Sequence, residues 1–226
     1  MTLLDLSTYV LAPMGNGKGI GAFDFNLAEG DVCVVKADLA DDANLFLRAL
    51  ATLVKPEKGN YTFKGETLDF SDYRNLLSFK KKIAYIPRHS SLISNRTIFD
   101  NLQLMDAYFE NNLCRALPEE IMELCRYFQI EDKLGFRPAQ VDPENLRLAV
   151  IVRELCKNPK VILIDGPRHF LGYRKFDLFL NVLKKMSASG IPLVLSASDE
   201  DLTKEYGHKE AWIKSGILTV NVNRES

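Results

Sequence analysis

The sequence predicts an α/β domain with a parallel core sheet and a helical insert. Three observations lead there. Val32-Cys33-Val34-Val35, Ile83-Ala84-Tyr85-Ile86 and Val161-Ile162-Leu163-Ile164 are short continuous apolar runs, as expected of strands covered on both faces. Helical patterns alternate with strand patterns along the chain. Residues from about 90 to 157 carry helical spacing and little strand signal. The 226 residues suit one domain, with a core formed by 1–89 and 158–226 and a helical subdomain inserted between them.

Taken in order, residues 3–11 read as an apolar edge strand and residues 13–19, rich in glycine, as a turn. Residues 22–27 alternate like a half-buried strand. Glu29-Gly30-Asp31 turns into the strand at Val32, a polar loop follows over 36–42, and residues 43–54 form an apolar helix that Pro56 and Gly59 end. Tyr61-Thr62-Phe63 and Ile83–Ile86 are strands. Pro118-Glu119-Glu120 opens a helix, with proline early and acids at the positive end. Ile121, Leu124, Cys125 and Phe128 then mark one face. A further helix covers Leu146 to Leu155, and Val161–Ile164 is a buried strand ending in Asp165. Residues 173–187 are an amphipathic helix and Leu193-Val194-Leu195 a strand. Ala211-Trp212-Ile213 and Ile217-Leu218-Thr219-Val220 close the domain around Gly216.

Basic and acidic residues nearly cancel, 29 against 30, which argues against nucleic acid as a partner. No run of 18 apolar residues is present, and Met1-Thr2-Leu3-Leu4-Asp5 lacks the basic region of a secretory signal. A cytoplasmic chain is expected. Cys33, Cys114, Cys125 and Cys156 have no paired spacing and read as small buried hydrophobes. His89, His169 and His208 are scattered, so no metal site is expected.

The order and spacing of several blocks carry a resemblance. They are Gly30-Asp31-Val32, Leu47-Arg48-Ala49-Leu50, Pro56-Glu57-Lys58-Gly59, Ile83-Ala84-Tyr85-Ile86-Pro87, Thr97-Ile98-Phe99-Asp100-Asn101, Ile151-Val152-Arg153-Glu154-Leu155, and Asn158-Pro159-Lys160 running into Val161-Ile162-Leu163-Ile164-Asp165. Together they resemble the ATP-binding domain of ABC transporters over almost the whole chain. The resemblance implies a P-loop NTPase-like parallel core sheet with an antiparallel β part and a helical subdomain.

The residues that carry chemistry in that family are changed here. Its phosphate loop, Gly-x-x-x-x-Gly-Lys-[Ser/Thr], falls on Ala37 to Asn44. Both glycines are missing, the lysine is Ala43, and the Mg²⁺-holding hydroxyl is Asn44. Asp38, Asp41 and Asp42 place negative charge near the expected phosphates, where two unit charges about 4 Å apart repel by roughly 4 kcal/mol at a dielectric near 20. Asp41 and Asp42 either fill the anion site with the protein's own charge or simply cap the helix and face solvent. The Gly17-Lys18 pair reads as a surface hairpin rather than a phosphate loop.

Asp165 falls on the Mg²⁺-site acid, with a solvated or capping acid at a strand end as the other reading. Gly166 stands at the water-activating glutamate, Arg88 at the glutamine, and Ser198 at the switch histidine. The signature segment is Val141-Asp142-Pro143-Glu144-Asn145, in which proline removes an amide and two acids add charge. Tyr9 matches the adenine-stacking aromatic or is core packing. Leu92, Ile93, Phe99, Leu102, Tyr108 and Phe109 form either a docking surface or the core of the helical part.

With both halves of the composite site altered, the resemblance implies a pseudo-ATPase subunit. It would dimerise with an identical or different ATP-binding subunit, dock on an integral membrane permease, lie peripherally on the cytoplasmic face, and bind ATP and Mg²⁺ weakly or not at all. Two other classes stay open. One is a divergent ATPase in which Arg88, Lys36 or Lys18 reaches a phosphate. The other is a soluble regulatory scaffold outside transport.

Overall fold

The computed structural model describes residues 2–89, 91–104, 116–196 and 208–222. Two sheets carry the fold. The first is four-stranded and antiparallel, in the order β2-β1-β4-β5. It is formed by β1 (Thr2–Leu11), β2 (Ile20–Ala28), β4 (Lys58–Phe63) and β5 (Glu66–Thr67). The second is six-stranded, in the order β10-β9-β3-β8-β7-β6. Its strands are β3 (Val32–Ala37), β6 (Ile83–Ile86), β7 (Val161–Asp165), β8 (Leu193–Ser196), β9 (Lys209–Lys214) and β10 (Ile217–Val222). All its pairings are parallel except the β9–β10 hairpin.

The expected edge strand, β1, is instead central in its sheet, between β2 and β4. Strand order is set by long-range pairing, which an apolar run does not reveal. Register shifts near residues 6–9 and the positive φ of Thr8 change the parity of β1. Leu4 and Leu6 point inward before the irregularity, and Tyr9 and Leu11 after it. Tyr9 is therefore fully buried, edge-on to Phe23 and Tyr61. It is core, and no base can stack on it.

The continuous apolar strands separate two cores. Cys33 and Val35 of β3 face α1 (Ala40–Leu50) and the antiparallel sheet, while Val32 and Val34 face the helical side. Phe46 of α1 packs on Phe23 and Phe25, which fixes α1 between the sheets.

The short helix α2 (Leu77–Lys80) precedes β6, and the α-helices described between β6 and β7 belong to the second core: α3 (Ile98–Leu102), α4 (Glu119–Tyr127) and α5 (Pro143–Leu155). Helix α6 (Tyr173–Ala188) covers the same face. Leu92 and Leu102 are buried there and Phe99 packs against them, whereas Ile93 is exposed. Tyr108, Phe109 and Cys114 lie outside the described residues. Cys33 and Cys125 are buried, and burial pushes the Cys33 thiol up to about 12.

Asn101 pins the approach to α3. Its Oδ1 accepts from Ile93 N at 2.7 Å, and its Nδ2 donates to Ile93 O and Thr97 O. Asn101→Ala is expected to lower stability by about 2 kcal/mol in urea unfolding, because three backbone groups lose a partner beside a fully buried side chain.

Candidate functional site

Strand β3 delivers the chain to the N-terminus of α1. The expected polar loop over 36–42 is shorter in the structure, because α1 begins at Ala40 and only Asp38 and Leu39 connect it to β3. The reason is local. No glycine interrupts the stretch, and Asp41 and Asp42 occupy the first turn, where carboxylates suit the helix dipole. The amides of Asp42 and Ala43 both donate to Leu39 O, at 3.1 and 3.4 Å. They are thus spent within the helix.

The three acids do not act together. Asp38 turns away, accepting from Ser215 N at 3.3 Å while its own N–H donates to Ile213 O. Asp41 and Asp42 face the hairpin between β1 and β2. Asp41 Oδ2 accepts from Asn16 N at 2.8 Å, and Asp42 Oδ1 accepts from Gly19 N at 3.1 Å. Asp42 is only 3 % exposed, so it neither faces solvent nor merely caps the helix.

Asp165 ends β7 and is 4 % exposed, which overturns the solvated-acid reading. Ser196 Oγ donates to its Oδ1 at 2.6 Å, and Asn44 Nδ2 donates to its Oδ2 at 2.8 Å. Arg88 Nη2 lies 3.6 Å from Oδ1. Asn44 also donates to the Tyr85 hydroxyl at 3.2 Å.

Beneath this network Arg147 enters from α5. Its guanidinium donates to Pro87 O and, at 3.4 Å, to Asp165 O and Gly166 O. Burial lowers Arg147 to about 10 while Asp165 opposes the shift. Burial, reinforced by Asp165, pushes Tyr85 up to about 12. Sequence reasoning passed over both residues. The available signal was an arginine set between Leu146 and Leu148 at the head of the apolar run Leu148–Val152.

Gly166 adopts φ +62°, and a Cβ there would lie 3.0 Å from Arg88 Nε. A side chain at this position meets both backbone strain and Arg88. Next to it, His169 stands edge-on to His89, ring centroids 5.0 Å apart. Burial first, then His89, Arg147 and Arg88, hold the His169 imidazole below its ordinary value, against the opposing pull of Asp165. The unfolded chain then binds more protons just below the ordinary histidine range. Stability is therefore expected to fall as pH drops through about 6.5. Urea unfolding at pH 7.5 and 5.5 should show this loss, and His169→Gln should reduce it.

Asn44, Arg88 and Asp165 line one cleft of ≈ 470 Å³ together with Asp41, Arg48 and Tyr85. Residues 141–145 do not line it. There Asp142 caps α5 by accepting from Asn145 N at 3.0 Å, with Pro143 in the first turn. Burial works against the Asp142 carboxylate, yet its Asn145 hydrogen bonds hold it below the ordinary range. Glu144 Oε1 accepts from Gly172 N and Asn145 Oδ1 from Lys175 Nζ, so Glu144 and Asn145 anchor the start of α6. Ser198 lies outside the described residues.

The cleft does not fit a Mg²⁺-nucleotide as arranged. Mg²⁺ takes oxygen ligands, but Asn44 turns N–H toward Asp165 and Arg88 sits on the same carboxylate. No cluster of three or more His, Cys, Asp or Glu able to hold a metal occurs among the described residues.

Two sheets around a buried helix, with a helical part on the outer face, define an ATP-binding-cassette fold. Residues 45–169 match the family described as ABC transporter, more than half of the chain, and the chain belongs to that family. The match begins one residue after Asn44. Among curated relatives, the methionine import ATP-binding protein MetN of Legionella pneumophila (strain Paris) is 29% identical over 184 residues, covering 80% of this chain and 54% of the relative. The chain thus spans about half the length of that relative. The arginine transport ATP-binding protein ArtM of Bacillus subtilis (strain 168) is 24% identical, covering 87% and 82%. The solved ATP-binding cassette MJ0796, described as a dimer bound to ADP and Pi, superposes with a TM-score of 0.84 at 20% identity, over 99% of this chain and 100% of that one.

Proposed function

We propose that this chain is a non-catalytic ABC-ATPase-like subunit. It pairs with a membrane permease, a second ATP-binding subunit or both, and contributes shape and coupling instead of hydrolysis. The observation that carries this reading is the Asn44–Asp165–Arg88 cluster, in which an amide and a guanidinium satisfy the carboxylate that a Mg²⁺ ion would need. The helical turn that consumes the Asp42 and Ala43 amides supports it, as does Gly166, whose φ and Arg88 contact disfavour a glutamate. Ala37, Asp38, Asp41, Asp42, Ala43 and Asn44 are then a degenerate phosphate loop, and residues 141–145 a degenerate signature.

The dimeric MJ0796 cassette, the methionine-import name of MetN and the arginine-transport name of ArtM support a dimer beside a permease. Among the described residues no helix is long and apolar enough to cross a membrane, and a peripheral position on the cytoplasmic face follows from the permease partner. A second reading, a divergent ATP-binding subunit, is favoured by the relatives, since MetN and ArtM are named as ATP-binding proteins.

Purification of the native complex, with its components identified by mass spectrometry, tests the assignment. Recovery of a permease together with a second cassette that carries an intact phosphate loop is expected. A soluble partner alone would instead support a scaffold outside transport.

A further inference from the structure

The chain is near neutral as a whole, yet its charge is unevenly placed. Residues 77–82 and 153–160 hold six basic residues, Lys80, Lys81, Lys82, Arg153, Lys157 and Lys160, against one acid, Glu154. The two stretches meet where β6 and β7 begin: Lys160 N donates to Lys82 O at 2.7 Å, and Ile83 pairs with Val161. Glu154 is spent within the patch, because Arg153 and Lys157 both ion-pair with it. Just upstream, Asp69 is engaged by Ser71 and Asn75, and Asp72 by Arg74. Among the described residues the side chains of Lys80 and Lys160 make no hydrogen bond or ion pair. Burial holds the Lys80 ammonium below its ordinary value. Lys82 Nζ meets only rings, 5.5 Å from the Phe79 centroid and 5.9 Å from that of Phe63. Tyr73, on the short helical turn Tyr73–Leu76 that runs into α2, is 64 % exposed.

Cations without an internal carboxylate attract anions from outside. Lysine presents a compact point charge on a flexible stem, not a planar fork. It therefore suits the phosphates of a headgroup layer more than a carboxylate in fixed geometry, which arginine grips with two parallel bonds. An exposed tyrosine beside the cations is the side chain expected at a lipid–water boundary. We propose that Lys80, Lys82 and Lys160, with Tyr73, form a surface that binds anionic phospholipid headgroups, so that the cassette touches the bilayer itself as well as its permease. The surface rests on the peripheral position given above, but its binding needs neither nucleotide nor permease. Recovery of a permease in the native complex without vesicle binding would strike the lipid surface alone.

Co-sedimentation of the full chain with vesicles tests it, comparing phosphatidylcholine alone with a mixture of phosphatidylcholine and phosphatidylglycerol. Binding to the mixed vesicles only is expected, and it should weaken as ionic strength rises. The triple variant Lys80→Gln/Lys82→Gln/Lys160→Gln should bind them about a hundredfold more weakly, as each lysine near an anionic surface contributes about fivefold. Lys160→Glu alone, an exposed change that leaves the ring contacts of Lys82 intact, should weaken binding about tenfold. Lys214→Gln, exposed on β9 at the far side of the sheet, should leave it unchanged. Urea unfolding checks that each variant is folded. Equal binding to both vesicle types, full binding by the folded Lys160→Glu variant, or an equal loss in Lys214→Gln would overturn the proposal. So would pairing with poly-glutamate in place of the vesicles, which would assign the lysines to an acidic polypeptide.

Discussion

Replacing Arg147 with alanine is expected to destabilise the folded chain by about 3 kcal/mol. The side chain is 4 % exposed, and its guanidinium is shared among the carbonyls of Pro87, Asp165 and Gly166. Truncation opens a cavity and leaves those carbonyls without their donor. It also removes positive charge from beside Asp165, whose remaining cation, Arg88, is 41 % exposed and so better screened by water. Arg147→Met separates the two effects. It refills the volume but supplies no donor, so it should recover less than half of the loss. Urea unfolding of the three proteins measures this. Equal stability of the methionine variant and the parent would mean that Arg147 acts only as filler.

The second large effect is expected from Asn44→Asp. It changes a donor 2.8 Å from the Asp165 carboxylate into a second carboxylate. Two like charges at such a site disfavour the fold by about 3 kcal/mol at neutral pH, after partial relief by Arg88 and the Tyr85 hydroxyl. One carboxyl of the pair should hold its proton well above the ordinary range in the folded state. A folded-state value raised above the unfolded one makes the folded chain bind more protons as pH falls. The penalty is therefore full at pH 7 and shrinks toward pH 5. Asn44→Ala, which loses a donor without adding charge, should cost about 1 kcal/mol with little pH dependence. If Asn44→Asp is as stable as the parent at pH 7, Asn44 and Asp165 are not coupled as described.

Much of the architecture was legible because its strands are buried on both faces. Val32–Val35 and Val161–Ile164 stand out as continuous apolar runs, and parallel pairing of such runs leaves few arrangements. The central position of β1 was not legible, since it depends on pairing with β4, from Leu4 with Phe63 to Val10 with Lys58, far apart in sequence. The inward turn of Tyr9 depends on an irregularity at Thr8 that alternation alone does not mark.

At the site, Asn44, Arg88 and Asp165 were each marked by the family resemblance, but their mutual contact was not. Asn44 and Asp165 are 121 positions apart, and only the parallel sheet brings them together. Tyr85 and Arg147 were hidden because their neighbours read as core. The early start of α1 was within reach of the sequence, because a stretch without glycine and with acids in its first turn is a helix N-terminus before it is a loop.

The central claim, that this cassette carries no Mg²⁺-ATP chemistry of its own, is tested most directly by calorimetric titration of the purified chain with Mg-ATP. The account predicts no saturable heat up to about 1 mM, the upper end of ordinary substrate affinities. Saturable binding in the micromolar range that disappears in Asp165→Ala, with that variant still folded, would contradict it.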